Sequence, residues 1–63
     1  MDRDEIVTKM VIIAEKNNIE AMKSAGMDAS AIMNMVNQVR PQLFKIQGEI
    51  LDTLANDGII SIN

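Results

Sequence analysis

Apolar residues recur at intervals of three and four along most of the chain, which is the spacing of one helix face. Two lines carry this spacing as a repeat of four, three, four, three and four residues. The first line comprises Val7, Val11, Ala14, Asn18, Ala21 and Ala25, and the second comprises Ile32, Val36, Val39, Leu43, Ile46 and Ile50. Such heptad lines are typical of helices that pack along a common seam. The pattern therefore predicts two long helices.

The first predicted helix covers residues 3–25. It begins near Asp2 or Asp4, because an aspartate can cap the free N–H groups of a helix start and complement its dipole. Asn17 and Asn18 both fall inside its apolar arc. The helix therefore either stops before them and restarts, or continues through them, and the unbroken heptad line favours a continuous helix.

A turn at residues 26–28 is the strongest local signal. Gly26 can take the left-handed conformation that ends many helices, and Asp28 can act as the N-cap of the next helix. The sequence therefore predicts that the chain bends between the two helices here.

The second predicted helix covers residues 29–57. Pro41 lies in its interior, where proline removes a backbone hydrogen bond and costs on the order of 3 kcal/mol, so we expect a kink or a break near residues 39–41. Gly58 can end the helix in the left-handed conformation. Residues 59–63 form a short apolar tail, which either tucks onto the helices or offers an edge for pairing.

These elements predict an all-α fold, an antiparallel helical hairpin. A chain of 63 residues has a thin core, and this one has no cysteine or histidine with which to add a disulfide or a metal, although 48% of its residues are apolar. We therefore expect two hairpins to form a four-helix bundle as a homodimer. The flanks predicted to form the protein interface carry Met10, Met22, Met33, Met35, Phe44 and Leu51.

Charge and hydropathy narrow the class of protein. The net charge is -3, and the six basic residues are spread singly along the chain, so no basic patch attracts phosphates broadly. The longest apolar run, Met10 to Ala14, is far shorter than the roughly 20 residues of a membrane span. The sequence predicts a soluble, cytoplasmic protein that does not associate with membranes.

Catalytic chemistry has few candidate residues. The chain has no histidine, cysteine, tyrosine or tryptophan, and its hydroxyl groups do not stand in a spacing that pairs a nucleophile with a base. Acidic residues cluster at the start of the first helix and near the end of the second, and their place at solvated helix ends accounts for them. We therefore expect no enzymatic activity, no cofactor and no metal site.

Residues 18–38 suggest a different function. Small residues precede Gly26 in the first helix, Met27 follows it, and Ile32 and Met35 face inward from the second helix. This arrangement resembles the helix-turn-helix of lactose-repressor-type regulators, whose second helix enters the DNA major groove. The resemblance implies base contacts from Ser30, Asn34, Asn37 and Gln38 and a phosphate contact from Arg40.

The two functional interpretations differ in how much of the chain they use. The heptad lines extend well beyond residues 18–38, and no lysine or arginine precedes Arg40 in the second helix. The leading hypothesis is therefore a small helical protein that self-associates and binds another protein as a regulator, adaptor or inhibitor. The alternative is a helix-turn-helix DNA-binding transcriptional regulator.

Overall fold

In a computed structural model, residues 2–62 are described, and they form two helices. Helix α1 is Arg3–Ser24 and helix α2 is Ala29–Asn56. Within residues 2–62 there is no strand, which confirms the all-α class. Each helix ends one residue before its predicted bound. Met1 and Asn63, the last residue of the predicted tail, lie outside the described residues.

Both helices begin at an aspartate. The Asp2 carboxylate accepts a hydrogen bond from the Glu5 backbone N–H at 2.9 Å, and the Asp28 carboxylate accepts one from the Ala31 N–H at 2.8 Å. These bonds satisfy donors that have no partner within the helix, a contribution worth about 1 kcal/mol per cap. The cap sequence thus fixes where each helix starts.

Both helices end in the same glycine motif. Gly26 has φ 84° and Gly58 has φ 76°, the left-handed conformation that the sequence predicted for these two residues. At the first end the Met27 N–H donates to the Met22 carbonyl at 3.1 Å, while Gly26 donates to the carbonyl of Lys23 at 3.0 Å. This pair of bonds defines a Schellman motif. It turns the chain sharply away from the α1 axis.

The two helices lie side by side. At 1.5 Å per residue, α2 is about 42 Å long and α1 about 33 Å, and the molecule measures 41 × 18 × 17 Å. Because α1 is longer than either short dimension, it must run along α2, and the short turn makes the pair antiparallel. A helix-turn-helix differs, because its helices cross at roughly 90–120°.

The core is small and lies between the helices. Val7 and Val11 from α1 pack with Leu51 from α2 in one cluster, at 2–4% exposure. Ile32 and Val36 are buried nearer the turn. Burying a side chain of this kind stabilises a fold by about 1.5–3 kcal/mol before the entropic cost of ordering it. Five such residues leave the monomer little margin.

The face of α2 that meets α1 changes along the helix. Ile32 and Val36 are buried as the heptad line predicted, but Ile46 and Ile50 from the same line are 48% and 43% exposed. Leu51, which the pattern placed on an exposed flank, is only 2% exposed. Leu51 lies about 100° around the helix from Ile50, so α1 contacts a different side of α2 in its second half than the heptad line indicates.

The two ambiguous positions inside the helices are both helical. Helix α1 continues through Asn17 and Asn18, and over residues 29–56 helix α2 continues through Pro41 without a break. The predicted break is therefore wrong for this segment, and the predicted kink stays a prediction. Of the two predicted arrangements of the tail, the structure shows the one that packs onto the helices, because Ile60 and Ile62 contact the core cluster.

Candidate protein-binding site

An apolar groove lies between the helices at the end of the molecule that contains the turn. It has a volume of about 260 Å³. Its lining from α1 is Glu15, Asn18, Ala21 and Met22, and its lining from α2 is Met35, Val36, Val39 and Leu43. The sequence explains the gap, because Asn18 and Ala21 stand at heptad positions where larger apolar side chains would fill the space.

The size and chemistry of the groove suit protein side chains. Small-molecule pockets usually measure about 300–1,000 Å³ and converge several polar groups on the ligand. This groove is smaller, and its two polar lining residues are Asn18 and Glu15, of which Glu15 is engaged by an arginine. Met22 and Met35 contribute flexible, polarizable thioethers that can adapt to an apolar partner. The arrangement can hold an apolar side chain or helix face, and it supplies no catalytic pair.

The structure separates the six residues that were predicted to form the protein interface. Met22 and Met35 line the groove together. Met33 and Phe44 are exposed at 53% and 41% but lie outside the groove. Met10 is half-buried against the core cluster. Leu51 belongs to the core and is not available to a partner.

Arg40 pairs with Glu15 across the two helices beside the groove. The Arg40 Nε donates to Glu15 Oε1 at 2.6 Å, and Nη2 donates to Oε2 at 3.4 Å. The hydrogen bond and the attraction of the carboxylate raise the pKa of the Arg40 guanidinium. The pair forms one edge of the groove. It also engages the Arg40 guanidinium with a carboxylate, whereas the DNA hypothesis assigned this cation to a phosphate.

The remaining residues of the DNA hypothesis are four polar side chains on α2. Ser30, Asn34, Asn37 and Gln38 are all exposed on α2. They lie in a helix that runs alongside α1, so the turn does not present α2 in the crossed geometry of a helix-turn-helix. Their exposure is compatible with ordinary solvation of a helix surface.

A second pair joins the opposite end of the hairpin. Arg3 Nε donates to Asp52 Oδ1 at 2.7 Å, and Nη2 donates to Oδ2 at 2.9 Å, so the pairing is bidentate. Gly48 makes this possible, because Arg3 Nη2 lies only 2.9 Å from where a β-carbon at Gly48 would be. The sequence pattern did not reveal either arginine pair, because the partners are 49 and 25 residues apart.

The Arg3–Asp52 pair gives stability a defined dependence on pH. The hydrogen bond from Arg3 lowers the pKa of the Asp52 carboxyl below its ordinary value. Because the pKa of Asp52 is lower in the folded chain, the ion pair stabilises the fold fully at pH values above the aspartate pKa of the unfolded chain, about 3.9. This stabilisation is lost as the pH falls through the folded-state pKa. We expect the melting temperature of wild type to exceed that of Asp52→Asn at pH 7, with the difference disappearing once the pH has fallen below the lowered folded-state pKa of Asp52.

Thermal melts of both proteins from pH 2 to pH 8 measure this difference. Glu20→Gln is the matched control, because the Glu20 carboxylate forms no ion pair within residues 2–62. A difference for Asp52→Asn that stays constant across the whole range would contradict the ion-pair assignment.

Residues 2–62 contain neither a cluster of metal ligands nor a membrane-spanning helix. Within residues 2–62, no three acidic side chains come together in a way that could hold a metal ion. Neither α1 nor α2 combines the length and the apolar character needed to cross a membrane. No protein-family model, curated protein or solved structure matches the chain.

Proposed function

We propose that this chain is a small non-enzymatic helical protein that self-associates and acts by binding another protein as a regulator, adaptor or inhibitor. One observation carries the proposal. Within residues 2–62, eight large apolar residues are exposed and five apolar residues are buried. Monomeric proteins rarely expose large contiguous apolar patches, so neighbouring exposed residues such as Ile46 and Ile50 indicate surfaces that other chains cover.

The total surface points to self-association. Folded monomers of 7.0 kDa expose roughly 4,000 Å² on average, whereas this hairpin exposes 4541 Å². A standard interface hides about 800 Å² on each partner. Pairing two hairpins into a four-helix bundle would remove the excess and enlarge a core that is marginal for one chain. Within this proposal α2 is kinked at Pro41, so that both of its halves follow the bundle.

The groove beside the turn is the proposed site for the other protein. An amphipathic helix docks by placing apolar side chains at intervals of three and four residues into a groove of this kind. Met22 and Met35 stand on opposite helices and can adjust to such a helix. The Arg40–Glu15 pair supplies a polar edge that would orient it.

The DNA alternative has weaker support. Phosphate contacts provide most non-specific DNA affinity, yet the net charge is -3 and Arg40 is paired with Glu15. The exposed polar residues of α2 remain as its only structural basis.

Solution mass and DNA binding together distinguish the two functions. We expect a dimer, and no measurable binding of duplex DNA at either of two salt concentrations. Monomeric protein that binds DNA tightly at low salt and releases it as salt rises would contradict the proposal, because that dependence reports release of counterions from phosphates.

A further inference from the structure

We infer that Ile46, Ile50, Lys45 and Glu49 form the surface through which α2 packs, antiparallel, on α2 of a second copy of this chain. The inference rests on the proposed self-association and specifies its contact. Ile46 and Ile50 are one helical turn apart, so their side chains lie next to each other on α2. They are 48% and 43% exposed and line a shallow depression together with Glu49, Thr53 and Leu54.

This patch is left open because α1 contacts a different side of the same segment. Leu51 faces α1 and is buried, and Gly48 is covered by the Arg3 guanidinium. Helix α1 therefore cannot also cover Ile46 and Ile50. The groove lies nearer the turn and its lining includes neither Ile46 nor Ile50, so the two surfaces use different residues.

The charges beside the patch identify its occupant. Lys45 and Glu49 lie together on one side of the two isoleucines. Both are exposed, and neither forms an ion pair within residues 2–62. The two arginine pairs, in contrast, hold the hairpin itself together. An opposite pair of free charges one helical turn apart on an apolar face is complementary to the same face turned around.

A two-fold axis at the level of residue 48 along α2, midway between Ile46 and Ile50, allows the isoleucine contacts and the ion pairs to form together. In a two-fold interface, if residue i meets residue j, then j also meets i. Antiparallel packing about this axis sets Ile46 against Ile50 of the second copy, and the long Lys45 side chain reaches Glu49 of the second copy. The two-fold repeats each contact, which gives two isoleucine pairs and two ion pairs per dimer.

Charge reversal tests this geometry directly. In Glu49→Lys every chain carries two positive charges at these positions, and in Lys45→Glu every chain carries two negative charges. We expect each variant alone to raise the dimer dissociation constant by roughly tenfold or more, since like charges meet twice across the interface. Mixing the two variants should restore dimer formation, because each contact in the mixed dimer again joins opposite charges.

Lys16→Glu and Glu20→Lys provide a matched control. Lys16 and Glu20 have the same spacing, are exposed, and lie on α1. Sedimentation equilibrium gives the dissociation constants, and circular dichroism verifies that every variant is helical. We expect the control variants to dimerise like wild type, alone or mixed.

The outcomes separate this inference from the function that it refines. Monomeric wild-type protein at all concentrations would overturn self-association and this surface with it. If wild type is dimeric and each charge variant dimerises equally well, this surface alone is overturned. The same holds if each variant is monomeric and mixing the two does not restore the dimer. If Lys16→Glu and Glu20→Lys weaken dimer formation to the same extent, the proposed surface is also overturned, because the effect would then follow from net charge.

Discussion

Leu51→Ala is expected to unfold most of the hairpin at room temperature. Leu51 is 2% exposed and is the α2 member of the cluster with Val7 and Val11. Removing a buried leucine side chain costs roughly 2–5 kcal/mol, as lost transfer free energy and an unfilled cavity. A core in a chain of this size rarely supplies more than about 3–5 kcal/mol, so the loss is comparable with the entire stability. Urea titration followed by circular dichroism measures it.

Ile12→Ala is the matched control for Leu51→Ala. Ile12 is 57% exposed on α1, so its truncation should change stability by no more than about 0.5 kcal/mol. A Leu51→Ala protein that keeps its helical stability but no longer dimerises would contradict the structure. That result would place Leu51 on the exposed interface that the sequence pattern predicted.

Pro41→Ala is expected to stabilise the protein by about 1–3 kcal/mol. Helix α2 continues through Pro41, which has no N–H to donate to the Asn37 carbonyl and whose ring crowds that carbonyl. Alanine restores the donor and is the most favourable helix residue. The midpoint of urea unfolding should therefore rise, with little change in its slope.

Gln38→Ala controls for the change in helix propensity. Gln38 is exposed one turn before Pro41, and glutamine and alanine differ little as helix residues. Unchanged or lower stability of Pro41→Ala would contradict the expectation. It would mean that packing contacts made through a bend at Pro41 outweigh the backbone hydrogen bond and the helix propensity that alanine restores.

The ends of the helices were predictable because their causes are local. Asp28 and Gly26 act through backbone groups within three or four residues, and the conformation of Gly58 follows from the same rule. A single sequence contains all the information that such motifs need. The predicted turn and the all-α class follow from these local signals together with the spacing of apolar residues.

The packing of the second half of α2 was not predictable from periodicity. A repeat identifies residues that share a face, but Ile46, Ile50 and Leu51 lie on neighbouring faces that are all apolar. Which face meets α1 depends on how the two helices cross, and on Arg3 settling over Gly48. Those contacts join opposite ends of the chain, so no local pattern indicates them.

The groove was partly foreseeable. Met22 and Met35, which the sequence placed among the predicted interface residues, both line it. Its edge at Arg40 and Glu15 was missed, because no local pattern pairs charges that are 25 residues apart.

The mass of the unmodified protein in solution, measured by sedimentation equilibrium over a range of concentrations, tests the central claim most directly. One chain has a mass of 7.0 kDa. The account predicts twice that mass, falling towards one chain on dilution. A mass of one chain at every concentration would contradict it, because the exposed apolar surface of the hairpin would then not be covered by a second copy.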